Sequence, residues 1–320
     1  MDTPKVFFIG DVALDEYYTA DYFPKIKEKV LVHTLPAQMG GMIANACCVF
    51  NSYGVRPSFV TALNSGDISK KLCRGLEAQG IDTRYVVTDD SLPDSKTIVI
   101  LAENEHTVFI PTMGVHRTEL TDGALCALCG ADFIYSTFCE LRPLRHMGMD
   151  GFDILRKIVG GGCRIWCDLD VCDIMETDRG FFDYIDTLFV NEVGFRNLEK
   201  IAGGDPADWL FGKKARIFVV TRAQDGCVVY QKGKPPLDIT GLRVPVTDVT
   251  GAGDTFCSSF MYAYMMTEDV ALCAEFANSA AARAVTLLGP RAGAAGAGAV
   301  AEFMKSMGIE TERFSALLGG

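Results

Sequence analysis

The chain has 320 residues, 49% of them hydrophobic, enough for one large α/β domain or two small ones with an ample core. Its formal net charge of -11 argues against nucleic acid or an anionic membrane surface as a partner. No apolar stretch approaches the length of a membrane span.

Met1-Asp-Thr-Pro-Lys runs directly into the apolar stretch Val6–Ile9 with no signal pattern, so a cytoplasmic location is expected. Lys5–Ile9 reads as a buried first strand ending at Gly10-Asp-Val-Ala-Leu-Asp15. Asp11 and Asp15 stand where open α/β sheets bind ligands, and read equally well as solvated loop acids. Residues 16–38, with Val30-Leu-Val-His-Thr-Leu35, suggest short strands outside the main sheet. Gly40-Gly41 opens an apolar helical segment, Met42 to Tyr53, with Asn45 in its first turns. Asn45 offers a donor and an acceptor together, suited to sugar hydroxyls or to a helix start.

Ser58–Leu63 is an expected strand, Asp67–Gln79 a helix stopped by Gly80, and Thr97–Ala102 with Thr107–Pro111 a hairpin across Glu103-Asn-Glu-His. Strands then alternate with helices: strand Phe133–Ser136, helix near Asp150–Val159, strand Arg164–Cys167, helix near Phe181, strand Thr187–Val190, helix Glu192–Ile201 and strand Ile217–Thr221. That alternation predicts a mostly parallel sheet covered by helices on both faces. The twelve cysteines lie in apolar runs, as reduced, buried thiols do, and Cys126-Ala-Leu-Cys129 reads as a helix-face pair of core cysteines. His33, His106, His116 and His146 show no metal-ligand spacing.

Gly226–Tyr230 and Leu237–Thr240 form another strand pair, and Val244-Pro-Val-Thr reads as a strand end. Asp248-Val-Thr-Gly-Ala-Gly-Asp254-Thr-Phe follows, and then Phe256, Phe260, Ala263 and Tyr264 recur at helical spacing. Gly251 and Gly253 therefore lie at a corner where the first N–H groups of a helix lack internal partners and attract an anion. Asp254 sits directly inside that corner. A carboxylate beside bound phosphate suits phosphoryl transfer, in which it accepts the proton of the attacking hydroxyl. Two long helices, about Gly253–Met266 and Val270–Leu288, precede the glycine- and alanine-rich run Gly289–Gly298, expected as a loop.

These motifs carry a likeness. The chain resembles the ribokinase-like, PfkB-type carbohydrate kinases over essentially its full length, most specifically at residues 248–256, then at Gly40-Gly41-Met-Ile-Ala-Asn45 and at Gly10 to Asp15. The resemblance implies a single domain over residues 1–320: three α/β/α layers, a mostly parallel central sheet, and a small β-sheet lid formed by about 12–38 and 96–111. It implies ATP-dependent phosphorylation of a hydroxyl of a sugar or sugar derivative. Asp254 would be the base, and Gly251, Ala252 and Gly253 would supply amides for the transferred phosphoryl group. Asp11, Asp15, Gly41, Asn45 and Glu140 would bind the sugar. Asn191, Thr221, Arg222, Gly226 and Asn278 would serve the nucleotide. Glu192 would be linked to Mg²⁺, and Asp248 with the loop at Gly289–Gly293 to K⁺. A homodimer through the lid is a further implication.

Three departures stand out. The family's Asn-x-x-Glu is Asn191-Glu192-Val193-Gly194 here, and its Thr-x-Gly-x-x-Gly is Thr221-Arg-Ala-Gln-Asp-Gly226, with Ala223 replacing a glycine. The loop Asn64-Ser-Gly-Asp67 also differs from the family's pattern. A nucleoside kinase of the same fold stays open, because Tyr17, Tyr18, Tyr22 and Phe23 offer rings for a base. A non-catalytic sugar- or nucleotide-binding homologue is the third reading. No P-loop and no GxGxxG after the first strand occur, which disfavours a P-loop kinase and a dehydrogenase.

Overall fold

The computed structural model describes residues 4–103, 105–111, 117–169 and 174–318, without the side chain of His106. Asn104 and His116 lie outside the described residues. The main sheet has eight strands in the order Leu237–Thr240, Gly226–Gln231, Ile217–Thr221, Ile185–Asn191, Arg164–Asp168, Phe133–Thr137, Val6–Ile9 and Ser58–Val60. Gly226–Gln231 pairs antiparallel with both of its neighbours, and the remaining neighbours pair parallel. Strands such as Val6–Ile9 and Phe133–Thr137 are buried throughout, as continuous apolar runs between two helical layers must be.

Two apolar cores lie on opposite faces of the sheet. One gathers Phe8, Phe50, Trp166, Phe260 and Phe276; the other Ile134, Phe138, Ile154, Phe182 and Phe218. In the first core Trp166 is fully buried and meets Tyr264 edge-on at 5.3 Å, while Phe189 meets Phe260 edge-on at 5.6 Å. Tyr264 and Phe260 on the helix Ala252–Thr267 thereby lock it to the sheet. Each such pair contributes about 0.5–1.5 kcal/mol beyond its burial. The helix Met42–Ser52 packs beside it, and Tyr53 at its end stacks on Tyr262 at 4.5 Å and bonds Ser259 Oγ at 2.6 Å.

A second sheet joins His33–Thr34, Ala13–Thr19, Gln38–Gly40, Lys96–Ala102 and Glu105–Phe109. It continues directly from the first strand of the main sheet, and Asp15 lies in it opposite Gln38.

Several expectations need correction. Of residues 30–35 only His33–Thr34 pair as strand. Val244–Thr247 is no strand: the amides of Thr247 and Asp248 bond the Val285 carbonyl instead of a neighbouring strand. The helix from Val270 stops at Ala284, and Gly296 already starts another helix, Gly296–Ser306. Cys126 is exposed and Cys129 half-buried, so they are not core residues. His146 is buried with Nδ1 2.8 Å from the Leu120 carbonyl.

Candidate active site

The segment 248–256 is pressed against the loop that follows the helix Val270–Ala284. Gly251 adopts φ +76°, and a Cβ there would collide with the Pro290 carbonyl oxygen. A side chain has neither the dihedral nor the room, so glycine is required. Asp248 ties the same two segments: Oδ1 accepts from Thr250 N and Oδ2 from Gly289 N, both at 2.9 Å. The Ala252 amide turns back onto Val249 O at 3.2 Å, so it is not open as sequence alone implied. The amides of Gly251 and Gly253 have no partner among the described residues. They begin a 16-residue helix whose dipole adds to their pull on an anion.

Asp254 follows in the first helical turn and is 8% exposed. Asn45 Nδ2, 209 residues earlier in the chain, donates to its Oδ2 at 3.3 Å. The two glycine-led helix starts recognised in the sequence therefore meet at one carboxylate.

Around Asn45 the acidic residues of the first strand end converge. Asp11 accepts from Met42 N and Ile43 N, each at 2.9 Å, and so caps the helix Met42–Ser52, which has no cap from Gly41 itself. Gly41 has φ +96°, and a Cβ would fall 2.7 Å from Val12 Cα. Glu140 comes to the same place: its Cγ would lie 3.1 Å from a Cβ on Gly10. Asp15 Oδ1 accepts from Thr97 Oγ1 at 2.6 Å, and its carboxyl packs on Gly40. Burial pushes the Asp15 carboxyl above its ordinary value, with Asp11 adding to the rise and Thr97 and Arg291 opposing it. Burial likewise raises Asp11, against the Ile43 and Met42 amides and Arg291.

Arg291 is the residue that sequence reasoning missed. Its Nε donates to Asn45 Oδ1 at 3.0 Å and its Nη2 to the Gly40 carbonyl at 3.2 Å. A signal existed: Arg291 is the single charged residue between Gly289 and Ala301.

The residues expected to serve a nucleotide lie elsewhere, at the ends of the late strands. Asn191 pairs in register with Thr221. Asn191 Oδ1 caps the following helix through Gly194 N at 2.8 Å, while Glu192 is exposed. Gly194 is buried, and a Cβ there would come within 3.2 Å of Val190 Cβ, so the family's glutamate has no ready space. Thr221 Oγ1 donates to Val190 O at 3.3 Å. Arg222 pairs with Asp238 at 2.6 and 3.2 Å, an ion pair on the sheet edge. Ala223 takes φ +47°, the left-handed conformation for which the family uses glycine. Gly226 has φ +94°, and a Cβ would strike the Ile239 carbonyl. Asn278 borders a groove of about 300 Å³ with Asp238, Thr240 and Ser279. Among the described residues no three His, Cys, Asp or Glu side chains converge as a metal site.

The profile of the pfkB family carbohydrate kinases matches residues 3–295. An uncharacterized sugar kinase of Archaeoglobus fulgidus is 32% identical over 253 residues, spanning 75% of this chain and 95% of that protein. A nucleoside kinase of Methanothermobacter thermautotrophicus is 23% identical over 294 residues, spanning 85% and 86%. The structure of Arabidopsis thaliana ribokinase complexed with ribose and ATP superposes with a TM-score of 0.78 at 19% identity, over 95% of this chain and 99% of that one.

Proposed function

The chain belongs to the pfkB family of carbohydrate kinases, and we propose that it transfers the γ-phosphoryl group of ATP to a hydroxyl of a sugar, with Asp254 as base. The observation that carries this reading is the bond between Asn45 and Asp254, which joins the acceptor residues to the anion corner. The acceptor oxygen forms a bond to the γ-phosphorus, and its proton passes to the Asp254 carboxylate. The bond from that phosphorus to the β,γ-bridging oxygen breaks, and ADP leaves with the electron pair. The Gly251 and Gly253 amides face the charge on the transferred group. That stabilisation outweighs the strength of the base, because the transition state is loose.

Asp15, Asn45 and Glu140 hold the acceptor, and Asp11 and Gly41 shape its floor. Asn191, Thr221, Gly226 and Asn278 receive the nucleotide. Mg²⁺ bound with ATP would supply charge neutralisation on the phosphates, and Glu192 is the residue proposed to be linked to it. K⁺ is assigned to Asp248 and the 289–293 loop carbonyls. The second sheet is the proposed lid, closing to keep water from the phosphoryl group. Exposed Phe109 on that sheet, with exposed Ile26, Leu31 and Ile110 in the segments flanking its strands, favours a homodimer through the lid. No helix among the described residues is long and apolar enough to cross a membrane. The proposed setting is the cytoplasm, where ATP is present and thiols stay reduced.

A nucleoside acceptor is the second reading, favoured by the nucleoside kinase relative. The test is a coupled ADP-release assay with Mg²⁺ and K⁺ over sugars, sugar phosphates and nucleosides. ADP release stimulated by a sugar supports the proposal, and stimulation by nucleosides alone moves the acceptor class. Binding of sugar and ATP without ADP release identifies a non-catalytic homologue.

A further inference from the structure

Arg291 stands on a loop that is fixed on three sides. The Pro290 carbonyl lies under Gly251, the Ala292 carbonyl accepts from Arg283 Nη1 at 3.2 Å, and a Cβ on Gly293 would strike the Thr255 side chain. The side chain of Arg291 bridges two elements from the other end of the chain: the Asn45 amide oxygen and the Gly40 carbonyl. Gly40 ends the strand Gln38–Gly40, which pairs with the strand carrying Asp15.

The consequence follows from donor and acceptor inventories. A guanidinium only donates, and an ionised carboxylate only accepts. An amide placed between them has one permitted orientation, with Oδ1 toward Arg291 and Nδ2 toward Asp254. Without the arginine only the Asp254 carboxylate still selects that orientation, by repelling Oδ1 in the flipped one, and the tie from the amide to the Gly40 carbonyl is lost.

We propose that Arg291 is a positioning residue for phosphoryl transfer: it fixes the Asn45 amide so that its nitrogen faces Asp254, and anchors that pair to the Gly40 carbonyl at the base of the second sheet. The proposal rests on the kinase reading. It adds a residue that acts through Asn45, and it links the aim of the base to the strand beside Asp15. Two N–H groups on one edge of the planar guanidinium, Nε and Nη2, are used at once in a fixed geometry that a flexible ammonium does not reproduce.

The test is a double-mutant cycle on the full-length protein with its best acceptor. Arg291→Met is expected to lower kcat about ten- to a hundredfold, the scale of a misplaced catalytic group, with KM for ATP changed less than about twofold. In an Asn45→Ala background the same substitution is expected to cost nearly nothing, because the amide it orients is gone. Arg291→Lys is expected to fall between, and it carries the same cycle if Arg291→Met does not fold. A purely structural role predicts equal losses in both backgrounds together with a lower Tm, and that result overturns the proposal. So does a change confined to the acceptor KM, which would make Arg291 a direct ligand. A parent protein inactive on every acceptor overturns the kinase reading instead. An active parent with an unimpaired Arg291→Met variant overturns the positioning role alone.

Discussion

Around Asp254 the polar side chains on the acceptor side are held by partners from distant parts of the chain: Asn45 by Asp254 and Arg291, Asp11 by the start of the Met42–Ser52 helix, Asp15 by Thr97. Around Thr221 the polar groups are held by neighbours in sequence or on adjacent strands, and the space is shaped by backbone: Gly226 against Ile239, Ala223 in a left-handed turn. The difference is one of coupling. On the acceptor side no residue can shift without moving another, so substitutions there should be read in turnover. On the nucleotide side the backbone carries the shape, so substitutions there should be read first in stability and nucleotide affinity.

The largest expected effect tests the interlocked side. Asp254→Asn keeps size and an acceptor oxygen but cannot take a proton, and kcat should fall about 10²–10⁴-fold, the usual worth of a general base. ATP affinity by titration calorimetry should hold. Turnover like the parent's would remove Asp254 from the mechanism.

Asp15→Asn is expected to weaken kcat/KM for the acceptor about ten- to a hundredfold, the loss of a charged hydrogen bond of about 1.5–3 kcal/mol. It should also stabilise the fold at neutral pH. Burial raises the folded pKa of Asp15 above 3.8, so its contribution to stability is fully present below the unfolded pKa and is lost as pH rises through the folded one. The asparagine escapes that loss. The gain in Tm should be clear at pH 7 and vanish below pH 3.8, the ordinary aspartate value. A lower Tm at pH 7 would mean that the carboxylate is a net support of the fold, and the contrast between the two sides would weaken.

The smallest effect belongs to the nucleotide side. A non-glycine residue in the left-handed region costs about 1–2 kcal/mol. Glycine gives back part of that through the entropy of the unfolded chain, about 0.5–1 kcal/mol. Ala223→Gly should therefore stabilise by about 0.5 kcal/mol, read as a small rise in Tm, with acceptor kinetics unchanged. A drop of the size expected for glycine in an ordinary loop would show that the turn at Ala223 is unstrained.

Much of this molecule was legible along the chain. The apolar runs, the alternation of strand and helix, and the glycine-led helix starts at Gly41 and Gly251 are local patterns set by dihedral freedom and burial over a few residues. They sufficed for the layered sheet and for Asp254, Asn45 and Asp15 as candidates. The pattern misled where local preference lost to a tertiary partner, as at Val244–Thr247, whose neighbouring amides found the Val285 carbonyl. It was silent on Arg291, because a lone arginine in a glycine-rich run looks the same whether it faces solvent or a buried amide. Only the folded chain settles which amide Arg291 reaches across 246 residues, and that Arg222 pairs with Asp238. Hydrogen-bond partners of that kind depend on where separate elements pack, which no short stretch of sequence encodes.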